Sequence, residues 1–412
     1  MKIINCISTI LALCSEFIRG SMFVICGQFS LIIICFCIFV SCESRQDNMP
    51  ETVALYTIDV DKLTHQETVY TSSFFKNVRT VILEDHDDAL IGEIQYIQVF
   101  DDYILIFDFF IAKKLFVFDK NGKFLRQIGK TGRGPGEYIQ IIDFCIDPER
   151  REIYLLDTGT RKALKYNLDT GEYISSIDLP KNDVSPYLIA FAYDKLYLKI
   201  NYYGQKEEND NLLMEFDPET GKYTDCISSK KWNLDWDGSV YPSFSFFSSK
   251  QPPLRYAELF MNTVFAIEKD SIYPYFTINT KDWTKKIKYE EYDKGVTRGY
   301  YIHNYFEYKD YIHLRYQYDY KLKKYTVVYN KKTDEAKIYD YSQNDLVLSK
   351  GRREPYYYYV DYQTSKAYEF AYLWEFISDK YEFAPGLDKR EELLKLLKSD
   401  KERIVIFEYE FK

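Results

Sequence analysis

Tyr103–Gly129 reads YILIFDFFIAKKLFVFDKNGKFLRQIG, and a second stretch from Ile153, IYLLDTGTRKALKYNLDTGEYISSIDL, repeats its plan. Each has an apolar run ending in aspartate (Asp108, Asp157), a short polar break, a second run, and a glycine turn (Gly122, Gly171). The two copies lie 49 residues apart (171 − 122 = 49). A third copy places Gly221 at its turn, 50 residues on (221 − 171 = 50), with Asn201 in the aspartate position and extra polar residues in the loop. TVFAIEKDSIYPYFTI turns at Asp270–Ser271, and a looser copy turns near Asp334. Asn-Gly, Thr-Gly and Asp-Ser between short apolar runs are hairpin chemistry. A period near fifty residues of strand–turn–strand units suits propeller blades, each burying its faces against its neighbours.

The chain of 412 residues holds about seven such periods after Cys42. Loop insertions and one helical segment use part of that length, so six blades are expected. The helix is LDKREELLKLLKSD, 387–400, with Leu393, Leu394, Leu396 and Leu397 as its apolar stripe. A propeller must join its first and last blades to remove open edges. VALYTIDV near residue 53 and RIVIFEYEF near residue 405 are the strands expected to close it. The fold class read from these features is all-β, a six-bladed propeller closed by terminal strands, with one short C-terminal helix.

Composition bounds the function. Net charge is −9 with no basic block, which argues against a nucleic-acid partner. Six of the eight cysteines fall within the first 42 residues, and Cys145 and Cys226 alone lie beyond. Two cysteines in so long a chain are no disulfide framework, and there is no CxxC pair for zinc. Arg19 precedes the apolar run Met22–Val40, followed by Phe39–Val40–Ser41–Cys42. A basic residue, a hydrophobic core and a small residue before the cut form an export signal. The last four residues resemble a bacterial lipobox, which implies cleavage before Cys42 and acylation of it. The expected organisation is a signal peptide over 1–41, started at Met1 or Met22, a tether over 42–52, and the propeller over 53–412. Retention of Met22–Ser41 as a membrane helix, giving a membrane-anchored sensor, is a weaker reading.

GKTGRGPGEY, Gly129–Tyr138, contains the end of a phosphate loop, yet the glycine that motif requires at 124 is Phe124. No nucleotide is expected. Gly132, Gly134 and Gly136 around Pro135 are turn devices joining one blade to the next. Arg133 and Glu137, paired locally or lining a propeller face, and Tyr138 are the ligand-contact candidates of this loop.

FFKNVRTVILEDHDDALIGEIQYIQVFDDYILIFD from Phe74, followed by LFVFDKNGKFLRQIGKTGRGPGEY from Leu115, resembles the six-bladed β-propeller lipoproteins common in Bacteroidetes, themselves distantly similar to NHL-repeat propellers. The resemblance implies a lipid-anchored envelope location and leaves the chemistry open.

Catalytic signals are sparse. His65, His86, His303 and His313 have no metal-ligand spacing, and no nucleophile elbow is present. The acidic run Glu84, Asp85, Asp87 and Asp88 lacks the order of a calcium loop and reads as a solvated turn, and QKEENDN at 205–211 reads as an exposed loop. Of 41 tyrosines, 22 lie between Tyr289 and Tyr381, so this half either packs tyrosine between blades or presents it to a ligand. Tyr356–Tyr359 place tyrosine on both faces of one strand, so one face should meet solvent, channel or helix. The expected function is non-catalytic: an envelope lipoprotein, outer membrane favoured, whose propeller binds a protein, peptide or glycan. No cofactor or metal is expected. The alternative is a glycan-acting hydrolase or lyase with its site at the central channel, which would bring histidines and carboxylates together there.

Overall fold

The computed structural model describes residues 54–179, 184–202, 211–228, 246–247, 250, 252–257, 261–280, 300–318, 323–399 and 402–412. Six antiparallel blades follow one another around a ring. Blade I spans Tyr96 to Ile128, blade II Ile141 to Asp178, blade III Val184 to Ser228, blade IV Phe246 to Asn279, and blade V Tyr300 to Gln343. Blade VI is composite: Tyr359–Asp361, Lys366–Tyr372 and Ile404–Phe411 are joined by an N-terminal strand.

The repeats map onto the blades. Gly122, Gly171 and Gly221 turn between the last two strands of blades I, II and III, all with positive φ. The repeated aspartates are latches. Asp108, fully buried, accepts N–H bonds from Gly92 and Glu93 (2.7 and 2.9 Å) and from Ile111 and Ala112 (2.9 and 3.0 Å). Asp157 does the same with Ile139, Gln140 and Gly159 and the Thr160 hydroxyl. Each carboxylate is buried because it ties the entry of its blade to the turn after its second strand, with its oxygens satisfied.

Six apolar clusters fill the seams, one per pair of neighbouring blades. In Ile404–Phe411, Val405, Phe407, Tyr409 and Phe411 face blade V while Ile406 faces blade I. That strand is buried on both sides, as a closing strand must be.

Its partner is not the expected one. The strand β1 (Tyr56–Asp59) runs parallel to Ser271–Asn279 at the outer edge of blade IV. The strand β2 (His65–Tyr70) lies likewise on Glu335–Gln343 of blade V. It is β3 (Phe75–Ile82) that pairs antiparallel with Ile404–Phe411 and closes the ring. β1 buries one residue, Ile58, whereas β3 buries Phe75, Thr80 and Val81 across both faces. A one-sided strand fits an edge and a two-sided strand fits a closed blade. Residues 54–82 thus form a strap over the rims of blades IV, V and VI. The helix α1 (Arg390–Leu396) is shorter than expected and packs Leu393 onto the blade V side of blade VI.

Candidate functional site

The ring axis is where an enzyme of this fold would place its chemistry. Lys250, in the connection between the first two strands of blade IV, reaches across to the innermost strands of blades I and II. Its ammonium pairs with Asp143 and donates to the Tyr96 hydroxyl and the Phe144 carbonyl, both at 3.0 Å. It also sits 4.4 Å from the centre of the Tyr96 ring. Asp143 accepts further bonds from the Tyr96 hydroxyl (2.6 Å) and the Ile189 N–H of blade III (2.7 Å). Burial lowers the Lys250 ammonium from its ordinary value, opposed by the Asp143 carboxylate, and burial raises the Tyr96 phenol. All three ammonium protons have acceptors. The cluster ties four blades together, and the ammonium protons of Lys250 are spent within it.

The glycine loop closes on itself. Lys130–Thr131 and Glu137–Tyr138 form a short parallel pair. Glu137 accepts the Gly134 N–H (2.8 Å) and pairs with Lys130 (3.2 Å), not with Arg133. These bonds hold its carboxyl below the usual range. Gly136 adopts φ +73°, as a turn glycine should, whereas at Gly132 a Cβ would crowd the Glu137 carboxylate that folds back over the loop. Tyr138 is buried, with its hydroxyl donating to the Lys113 carbonyl (3.2 Å) and burial pushing its phenol up to about 12. Arg133 is exposed.

The remaining sequence candidates are accounted for in the same way. Glu84 caps the Phe124 N–H, and Asp85 pairs with Arg403. His65 pairs with Asp340, and His313 is buried. The side chain of His303, most of the QKEENDN loop, the apolar N-terminal segment, Cys42 and the tether lie outside the described residues. Among the described residues no cluster of metal-ligating side chains occurs, and Cys145 and Cys226 are buried without a disulfide. Tyr357 packs in the seam between blades V and VI, and Tyr359 in that between VI and I. Tyr356 and Tyr358 are half-buried, and Tyr357 shares its seam with Leu393 of the helix, so the run is packed mostly between blade VI and its neighbours.

What stands out at the surface is an apolar end. Leu90, Phe110, Ile111, Ile139, Trp374 and Ile377 are each 39–70% exposed. They come from the connections into blades I and II and from those after the second strands of blades VI and I, which share one end of the ring. Named contacts join part of this set. Ile111 lies where a Cβ on Gly92 would stand, Ile94 donates its N–H to the Tyr372 hydroxyl (2.7 Å), and Trp374 stacks on Tyr372 at 5.9 Å. Phe110 packs on Phe109 at 4.7 Å, and Phe109 bridges the next two seams. The Asp108 and Asp157 latches bond the backbone of the blade I and blade II connections. Sequence reading missed this surface because its residues are scattered hydrophobics in four separate loops.

A family model described as "Domain of unknown function (DUF4934)" matches residues 55–407. No curated protein matches the chain. An exported protein from Bacteroides fragilis is similar in structure, with a TM-score of 0.63 and 19% identity over 87% of this chain and 99% of its own. A DUF4221-family protein from Bacteroides vulgatus has a TM-score of 0.46 and 12% identity, covering 82% of this chain and 97% of its own. The extracellular domain of a one-component system from B. thetaiotaomicron has a TM-score of 0.37 and 14% identity, covering 64% of this chain and 29% of its own.

Proposed function

The chain belongs to the DUF4934 family, and from that premise we propose that it is a lipid-anchored envelope protein whose propeller docks a partner protein through the apolar end of blades VI, I and II. The observation that carries the reading is the set of exposed apolar side chains from Leu90 to Ile377 at one end of the ring, because exposed apolar groups gathered in one place mark an interaction site. Rigid support by buried aspartates suits docking, since little order remains to be gained on binding. Export and the anchor at Cys42 rest on the apolar segment and the lipobox resemblance, and they agree with the exported Bacteroides fragilis protein of like fold. The same reading sets the chain beside the Bacteroidetes propeller lipoproteins, with their distant likeness to NHL repeats, and no nucleic acid or nucleotide takes part. An axial hydrolase or lyase is not supported, because Lys250 and Asp143 are committed to each other and to Tyr96.

The test is photocrosslinking in the native envelope from a reactive residue at position 374, with position 223 on the outer strand of blade III as control. A discrete adduct at 374, absent at 223 and lost with Phe110→Glu, is the expected result. Equal labelling at both positions would overturn the docking reading. Intact mass of the mature protein beside Cys42→Ala tests the anchor separately: acyl mass and loss of 1–41 are expected only in the parent.

A further inference from the structure

At the opposite end of the ring a cleft of about 360 Å³ opens between blade V and the strap. Its volume is at the low end for small-ligand sites, which run from roughly 300 to 1,000 Å³. We propose that it is a second binding site, independent of the apolar end, and that its ligand is a short acidic carbohydrate.

The walls have the chemistry for one. Tyr308, Tyr311, Tyr339 and Phe74 supply rings, and Lys309 and Lys337 supply cations. The rings are held in place. Tyr308 stacks on Phe411 at 3.9 Å and 9°, and its hydroxyl donates to the Lys412 carbonyl at 2.7 Å. Phe74 stands edge-on to His313 at 5.4 Å. Tyr311, 41% exposed, forms the lip. Tyr308, stacked on Phe411 and covered by the Lys309 ammonium, is wall, while the rings of Tyr311 and Tyr339 receive the C–H face of a sugar and their phenol groups bond its hydroxyls.

Charge selects the acidic form. Lys337, exposed, and Lys412 line the cleft beside Lys309, whose ammonium bonds the Lys412 main-chain oxygen, and one acidic side chain, Glu335, stands among them, in a chain whose net charge is −9. A local excess of cations on an acidic protein attracts and orients an anion. An acidic peptide would meet the same cations, but the cleft offers flat rings rather than a deep apolar pocket for an anchoring side chain.

Calorimetric titration of the full chain tests this with three probes: a hyaluronan tetrasaccharide, cellotetraose and tetraglutamate. Only the hyaluronan tetrasaccharide is expected to bind, more weakly as salt rises. Lys337→Ala and Tyr311→Ala should each weaken it by about tenfold or more while leaving the thermal midpoint unchanged. Trp374→Ala, at the far end, should leave this binding intact, so failure of the docking reading and failure of this one remain distinguishable. No heat with the tetrasaccharide, equal binding of tetraglutamate, or parent-like binding by both cleft variants would overturn the proposal.

Discussion

The seam between blades I and II and the seam between blades V and VI are built in opposite ways. In the first, Leu105, Phe107, Leu115, Val117 and Ile128 face Phe144, Ile146, Ile153 and Leu155, all of them buried. In the second, Phe306 and Tyr357 share the space with ionic and amide groups. Arg315 pairs with Glu354 and donates to the Pro355 carbonyl, and Asn304 donates to the Tyr357 carbonyl. Glu369, wholly buried, takes Arg353, the Tyr409 hydroxyl (2.7 Å) and the Asn344 amide (3.2 Å). Apolar burial is non-directional and tolerates small offsets. Hydrogen-bonded groups in a dry seam demand one geometry. Blades I and II follow each other along the chain, and apolar contact fills most of their seam, with the Tyr96–Asp143 bond at its axial edge. Blade VI is assembled from distant segments, and its polar seam keys it to blade V in a single register.

That contrast sets the order of expected effects. Glu369→Ala strips partners from Arg353, Tyr409 and Asn344 together, and breaking a buried pair of this kind costs about 3–5 kcal/mol. Urea unfolding reads it directly, and a loss below about 1 kcal/mol would mean that the polar seam does not hold the closure. Acid comes next. Burial, and then the Arg315 charge, push the His313 imidazole down from 6.5 to about 3. The folded state therefore holds it neutral, while the unfolded chain binds a proton below pH 6.5. Stability from this group is complete above pH 6.5 and drains away as pH falls towards 3. Between pH 6.5 and 5 the loss is about 2 kcal/mol, at 1.36 kcal/mol per unit. His313→Leu should flatten that part of the pH profile, and an unchanged slope would count against the assignment. In the apolar seam, Leu105→Met should cost less than about 1.5 kcal/mol, since volume-conserving swaps are tolerated there. A larger loss would show that seam to be as geometrically exacting as the polar one. The smallest effect belongs to the exposed Lys337→Ala, expected within about 0.5 kcal/mol on stability.

Much of the fold was legible because its determinants are local. Asp108 and Asp157 recur with their turn glycines, and the latches they form bond backbone within a few residues or one connection away. The closing strand Ile404–Phe411 was legible from its continuous apolar character. Its partner was not, since β1 and β3 are both short alternating segments and differ only in whether a second blade covers the other face. Glu137 was found, but the bond to Lys130 rather than Arg133 depends on the parallel pairing inside the loop. The axial Lys250–Asp143–Tyr96 group left no sequence signal, because its members are separated by 47 and 107 residues and meet only across the ring. The tyrosines of the later blades were visible as an excess. Their division between seam and cleft is set by which blade lies opposite.

The strap has a consequence for how the molecule is made. β3 leaves the ribosome early, yet its partner strand follows far behind, with Ile82 opposite Val405, 323 positions later (405 − 82 = 323). β1 and β2 likewise await blades IV and V. Blades I, II and III can form as they emerge, while the strap stays unpaired until those later strands are made. Closing so long a loop is slow, and an unpaired strand invites other strands. The same arrangement makes completion self-checking: a chain truncated before Ile404 leaves β3 without a partner, and an unclosed ring presents that edge to the machinery that recognises unfinished proteins.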